Sequence, residues 1–345
     1  MKLHRRAALA AVALFAATPA LVACGDSDDD NVITLGYFAN VTHAPALIGL
    51  ELEIFEQSLP DNVEIETRVF NAGPSTIEAL FAGDIDAAYI GPNPAINGWA
   101  QSGGEALHII SGSASGGAGL VTNGDYDEPS DLEGTSLATP QLANTQDVAL
   151  RYWLAEQGYE SDQQGDGDVG VVPTPNAELA AAFGTGSVDG AWAVEPFLSE
   201  LVIEHDAELF LDERDLWDGG EFVTTHIIAS DDFLEDRPDQ AEALLGAHLE
   251  VLDFIEERPE EAREATNDHL FELSGNRLSE DVLEAAFENL TFTSDPIAPS
   301  LQGSADHAEA VDLLEPVDLE GIYELDILND LLSEAGQDPI SGDLA

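Results

Sequence analysis

The sequence predicts an α/β protein of two lobes, with mostly parallel sheets flanked by helices and two hinge crossings between the lobes. Three observations carry this. Short apolar runs of strand length alternate with helix-periodic segments from residue 32 to about residue 228. One helix–turn–strand segment of the first half recurs in the second at a constant offset of 103 residues. The loops that follow the candidate strands concentrate Gly, Pro, Ser, Thr, Asn and Gln.

Taken in order, the chain opens with Lys2, Arg5 and Arg6, then an apolar run at 7–20 that is too short to span a bilayer comfortably. Leu21-Val22-Ala23-Cys24 follows, with small residues before a cysteine, which is the lipobox pattern. The expectation is a lipoprotein signal peptide at 1–23, lipidation at Cys24, and an acidic tether at 24–31. Export to the extracytoplasmic face of the cell membrane follows from that reading. Cys24 is the only cysteine in the 345 residues, so neither a disulfide framework nor a thiolate metal site is expected.

Strands are expected at 32–38, 63–70, 85–90, 107–112, 134–138, 169–173, 188–193 and 222–230. Beyond that the pattern turns helical, with apolar residues at i, i+3, i+4 spacing over 238–258, 260–273, 279–288 and 323–335. The lobes are expected at 32–116 together with 224–345, and at 117–223. In the internal similarity, Gly83, Ile85, Asp86, Ala88 and Tyr89 fall on Gly186, Val188, Asp189, Ala191 and Trp192. Each copy reads as a helix, a glycine cap and a buried strand ending in an aromatic. Two lobes of like topology would present their strand ends to a shared cleft, where ligands of open α/β sheets bind.

Charge narrows the partners. The chain has 69 Asp and Glu against 10 Lys and Arg, a formal −59, and three of the ten basic residues precede Cys24. That field repels nucleic acid and anionic lipid. The acids are scattered over predicted surface faces and form no EF-hand loop, so they read as salt adaptation rather than cation binding. At molar salt the screening length falls to about 3 Å, which removes most of the self-repulsion. With 44% hydrophobic residues the chain has ample material for a core.

The strand-end loops carry the chemistry. Several run directly into helices, placing free backbone N–H groups and hydroxyls where anions bind. Ser75, Thr76, Asn144 and Thr145 fit that role, or equally that of plain N-caps. Tyr37, Phe38, Tyr89 and Trp192 are candidates for an apolar wall or for core. His43 and His226 are candidate donors to an oxyanion, with a structural role as the alternative. Arg151 sits in an amphipathic helix and reads as a salt-bridge partner. Glu195 would take an amine or hydroxyl of a ligand, or cap the next helix.

With these loops in view, the sequence resembles the sulfonate/nitrate/taurine group of ABC-transporter substrate-binding proteins, most of all its aliphatic sulfonate binders. The runs that carry the resemblance are 36–47, 70–75, 90–98, 138–141, 144–151, 189–196, 212–217 and 222–225. It implies a type II periplasmic-binding fold with crossings near 116–119 and 222–225. It also implies a ligand held by Asn40, His43, Ser75, Gly91, Pro92, Ser113 and Ser115 on one side. Gln141, Asn144, Thr145, Trp192 and Glu195 would hold it on the other. The implied ligand is a small organic anion, an aliphatic sulfonate first, with taurine, nitrate, bicarbonate or a pyrimidine thiamine precursor as alternatives. The implied partners are a permease and an ATPase, the chain itself being a monomer with no cofactor and no metal. Enzymes sharing this fold use cysteine chemistry, and the sole cysteine here is the lipidation candidate. No Gly-x-Ser-x-Gly or His-Glu-x-x-His motif offers another route to catalysis. A ligand sensor without transport is the alternative of a different class.

Overall fold

In strand β1 (Val32–Phe38), alternate side chains enter different layers. Ile33, Leu35 and Tyr37 pack into one apolar cluster, while Phe38 packs against another on the opposite face. The computed structural model describes residues 31–124 and 126–344; the segment read as signal peptide, Cys24 and nearly all of the tether lie outside the described residues.

Two sheets organise the chain. The first has six strands in the order β11-β4-β10-β3-β1-β2. Here β2 is Glu64–Phe70, β3 Ala87–Ile90, β4 Leu107–Gly116, β10 Val223–Ser230 and β11 Leu290–Phe292. The second has five in the order β7-β6-β8-β5-β9, with β5 Ala118–Thr122, β6 Ser136–Thr139, β7 Gly170–Pro173, β8 Gly190–Val194 and β9 Glu208–Asp212. Helices α1 (Ala44–Glu51), α2 (Ile54–Ser58), α9 (Pro238–Glu257) and α10 (Pro259–Ser274) cover one face of the first sheet. Its other face is covered by α3 (Gly73–Phe81), α4 (Pro92–Ser102) and α12 (Ala298–Ala310). The second sheet lies between α5 (Thr145–Glu156) on one side and α6 (Leu179–Thr185) and α7 (Phe197–Glu204) on the other. Helices α8 (Asp231–Asp236), α11 (Glu280–Glu288) and α13 (Asp326–Glu334) complete the set used below. Among the described residues no helix is long and apolar enough to cross a membrane.

The sheets are mixed, where largely parallel ones were expected. β1 pairs in parallel with β2 and β3, and β6 with β7 and β8. β10 runs against both β3 and β4, β11 runs against β4, and β5 runs against both β8 and β9. The reason is connectivity. The parallel strands run toward the junction between the sheets, whereas β5 and β10 each receive the chain from the other sheet and run away from it. Strands β5, β9 and β11 and helix α12 are not among the sequence expectations. They are short or carry acids at their ends, which blurs the periodic signal.

The first passage between sheets is Gly116 and Gly117, both in the left-handed region (φ 80° and 66°). A β-carbon on Gly117 would lie 2.4 Å from the Leu290 side chain, so space as well as conformation demands glycine. The second passage is the stretch from Asp212 to Val223, built of short 3-10 turns.

The internal similarity has a structural counterpart. Gly83 and Gly186 both take positive φ after their helices (73° and 68°). The Asp86 carboxylate accepts the Thr34 N–H at 2.7 Å, and the Asp189 carboxylate accepts the Ser136 N–H at 2.8 Å. Each aspartate thereby ties the start of its own strand segment to the neighbouring parallel strand. Tyr89 and Trp192, three residues further on, are fully buried in their respective cores.

Candidate functional site

Where β1, β3 and β6 end, the chain turns into helices whose first turns converge on the junction of the two sheets. The β1 loop supplies Asn40, Thr42 and His43, the β2 loop Asn71, and the β3 loop Gly91 at the start of α4. From the other sheet come Asn144 and Thr145 at the start of α5, Gln146 in its first turn, Asn176 and Val194. Phe38, Thr224 and Thr225 complete a cavity of about 20 Å³, room for about one water-sized group. The halves are thus drawn together around it.

Among the described residues no charged side chain lines the cavity. Its polar atoms are hydroxyls, amides and one imidazole. The hydroxyls of Thr145 and Thr225 and the Asn176 Oδ1 are buried with no hydrogen-bond partner. Buried polar atoms are seldom left so, and a site that must receive a polar ligand is one place where they are. Helix α5 adds donors of its own: the N–H groups of Thr145 and Gln146 belong to its first turn, which has no intrahelical carbonyl to offer them. Asn144 makes no side-chain cap; its amide instead donates to Gln146 Oε1 at 3.0 Å.

His43 is 2% exposed, and burial pushes its imidazole down to about 3. It is therefore neutral at ordinary pH. The Phe38 N–H donates to its Nδ1 at 3.3 Å, which leaves Nε2 to carry the proton. Asn40, 5% exposed, accepts the Thr42 hydroxyl at 2.7 Å.

Of the residues singled out from sequence, Asn40, His43, Gly91, Asn144 and Thr145 meet at this cavity. Others lie elsewhere. Pro92 is the buried first residue of α4 behind Gly91. The Ser75 hydroxyl donates to the Ala72 carbonyl, a local helix-start bond. Gln141 is exposed. Ser113 is fully buried on β4 with an unpartnered hydroxyl, outside the cavity lining, and Ser115 lines a neighbouring recess with Arg214 and Asn289. Trp192 is core: it packs in the second sheet and its indole N–H donates to Glu213 at 2.7 Å.

Glu195 is fully buried, and burial pushes its carboxyl up. It takes the capping alternative, accepting the Ser199 N–H and hydroxyl at the start of α7. It also accepts the Asn289 amide at 2.7 Å, a bond between the two halves of the molecule. Arg151 pairs with Asp147 at 2.9 Å inside α5, the salt-bridge role its place in an amphipathic helix suggested. His226 is buried on β10 with both ring nitrogens unpartnered and is not part of the cavity lining.

Thr224 and Thr225 lie in a run that carried the resemblance but were not named as ligand contacts. Asn71, Thr42 and Val194 lie in loops the sequence marked. Asn176 was missed although its loop after β7, Thr174-Pro175-Asn176, has the same Pro, Thr and Asn composition as the loops singled out.

Solved structures share this architecture. The alkanesulfonate-binding protein SsuA from Xanthomonas axonopodis pv. citri, bound to MOPS, superposes with a TM-score of 0.70 at 22% identity, covering 86% of this chain and 98% of that one. The periplasmic nitrate-binding protein NrtA from Synechocystis PCC 6803 gives 0.75 at 18% identity, covering 91% and 92%. The fold is therefore the two-lobed α/β fold of type II periplasmic binding proteins. In sequence, the taurine-binding periplasmic protein of Escherichia coli is 24% identical over 182 residues, 52% of this chain. The match spans about half of the curated relatives' own length: 53% of that protein and 51% of one from Brucella abortus. A family model matches residues 26–267, well over half of the sequence, and on that match the chain belongs to the NMT1-like family.

Proposed function

We propose that this chain is the solute-binding protein of an ABC importer and that its ligand is a small oxyanion, an aliphatic sulfonate first. The observation that carries the reading is the uncharged cavity between the sheets, with the unpartnered Thr145 and Thr225 hydroxyls and the first turn of α5 directed at it. An oxyanion accepts many hydrogen bonds and donates none, which matches such a wall of donors. The relatives named for sulfonate, taurine and nitrate binding support the ligand class.

At about 20 Å³ the cavity in this arrangement is too small for a sulfonate, so the lobes part by hinge motion at the two passages to admit the ligand and settle around it in a less tightly closed form. The Glu195–Asn289 bond joins the halves beside the first passage. Closure of this kind needs no nucleophile, and the protein is read as a carrier rather than an enzyme. Permease and ATPase subunits would take up the ligand from the closed form. Cys24 is proposed as the lipid attachment point, with residues 1–23 removed on export, and the acidic surface as an adaptation to salt.

A thermal-shift panel tests this reading. Ethanesulfonate, taurine and nitrate are each added to the purified chain in concentrated salt, and a ligand that binds the folded state raises Tm with the logarithm of its concentration once that exceeds Kd. A dose-dependent rise with ethanesulfonate is the expected result. A rise with nitrate alone would replace sulfonate by nitrate, and no rise with any would remove the oxyanion assignment.

A further inference from the structure

A second cavity, of about 290 Å³, lies between α5 and α12, away from the first. On α5 it is bounded by Tyr152 and Trp153, seven and eight residues beyond Thr145, which places it about 10 Å along the helix from the oxyanion cavity. The turn after β9 contributes Glu213 and Trp217, and α12 contributes His307. The Tyr152 and His307 rings stack at 3.7 Å and 12°, joining the two halves of the molecule at the rim.

Glu213 sets the chemistry. It is 3% exposed, yet its recorded partners are two indole N–H groups, Trp192 at 2.7 Å and Trp217 at 3.4 Å. Its neighbour Arg214 turns the guanidinium to Asp212 instead, at 2.6 Å. His307 is held neutral, burial pushing it down to about 4. Among the described residues nothing cationic faces Glu213, and a buried carboxylate without a countercharge is costly. Burial accordingly pushes its carboxyl up to about 7.

We infer that this cavity is a second ligand site, for a small alkylated ammonium cation, with Glu213 as counterion and the Tyr152, Trp153 and Trp217 rings as walls. Aromatic rings attract a soft, weakly hydrated cation through their negative faces, and a buried carboxylate adds the opposite charge. A hard metal ion is a poor fit, because it needs about six or more oxygen ligands and beside its rings the lining offers only the Glu213 and Glu156 carboxylates and the Gln157 amide. The counterion and the walls come from one half, and His307 alone of the lining comes from the other.

The test uses choline and its uncharged isostere 3,3-dimethyl-1-butanol, titrated into the full chain at constant ionic strength and followed by tryptophan fluorescence. Saturable choline binding, with the isostere at least about tenfold weaker, is the expected result. Glu213→Gln removes the charge at constant shape, and Tyr152→Leu removes one ring at the half-exposed rim; each is expected to weaken choline about tenfold. Equal binding of the two probes, no saturation by about 50 mM choline, or full choline affinity in either folded variant overturns the inference. If Glu213→Gln fails to fold, Tyr152→Leu decides. None of these readouts depends on whether the first cavity binds an oxyanion.

Discussion

Gly91, at the start of α4, and Thr145, at the start of α5, face each other across the junction of the two sheets: a β-carbon on Gly91 would lie 2.5 Å from the Thr145 hydroxyl. Gly91 has φ −75° and ψ 163°, which any residue adopts, so a side chain there strains no backbone. The obstacle arises only when the halves approach. Gly91→Val is therefore expected to fold normally and to weaken oxyanion binding by at least about tenfold, a cost of about 1.4 kcal/mol. Calorimetric titration gives the affinity and a melting curve of the unliganded protein checks the fold. Undiminished affinity would mean that the halves need not meet at this point.

The Thr145 and Thr225 hydroxyls allow a second test, because valine keeps their shape and removes only the polar group. Among the described residues each is buried without a partner in this closed arrangement and free to meet water when the lobes part, so Thr225→Val is expected to change the unliganded stability little. With the ligand bound, an oxyanion lone pair is left unmatched, at about 1–3 kcal/mol for each substitution. Unliganded Tm and ligand affinity should thus move independently, which differential scanning calorimetry with and without ligand reads directly.

The repeated aspartates make a third. Asp86 and Asp189 each accept a backbone N–H of the adjacent parallel strand, but Asp86 also pairs with Arg237, a partly buried contact that Asp189 lacks. Asp189→Ala is expected to cost about 1–2 kcal/mol in denaturant unfolding, and Asp86→Ala more, because it also leaves Arg237 without its carboxylate. Equal losses would deny the pair with Arg237 any net value.

These aspartates also show how much the sequence disclosed. Their common offset and their glycine-capped helices exposed a repeated topology before any coordinate, because that signal is local: a cap, an apolar strand and a fixed spacing. Helices α9, α10, α11 and α13 fell near their expected bounds for the same reason. Strand direction did not, since β5 and β10 are antiparallel by virtue of where the chain crosses between sheets, and no local pattern records that. At the site, loop composition found Asn40, His43, Gly91, Asn144 and Thr145. For Trp192 and Glu195 the structure takes the core and capping alternatives, and their partners, Glu213 and Asn289, lie 21 and 94 positions away. Asn176 went unnoticed although Thr174-Pro175-Asn176 has the composition that marked the other loops.

Acid stability makes a fourth prediction. Burial pushes His43 and His226 down to about 3 and His248 to about 4, against about 6.5 when unfolded. Their contribution is fully present above the unfolded value and is lost as pH falls, since the unfolded chain then binds more protons. Each removes about 1.4 kcal/mol per pH unit below about 6.5. Glu213, pushed up to about 7, acts oppositely: its contribution is present below its ordinary value and lost as pH rises toward 7. His307, pushed down to about 4, makes four imidazoles of this sense against the two buried carboxyls Glu213 and Glu195, so stability should fall from pH 6.5 to 4.5. Denaturant titrations across that range check the slope, and His226→Leu should flatten it.

The central claim is that the uncharged cavity between the sheets closes on a small oxyanion. The most direct measurement is calorimetric titration of ethanesulfonate into the full chain in concentrated salt, repeated with Thr145→Val and Thr225→Val. The account predicts one saturable site whose affinity falls about fivefold or more in each variant. No binding heat with ethanesulfonate, taurine or nitrate at any of several temperatures, or binding that both variants leave untouched, would contradict it.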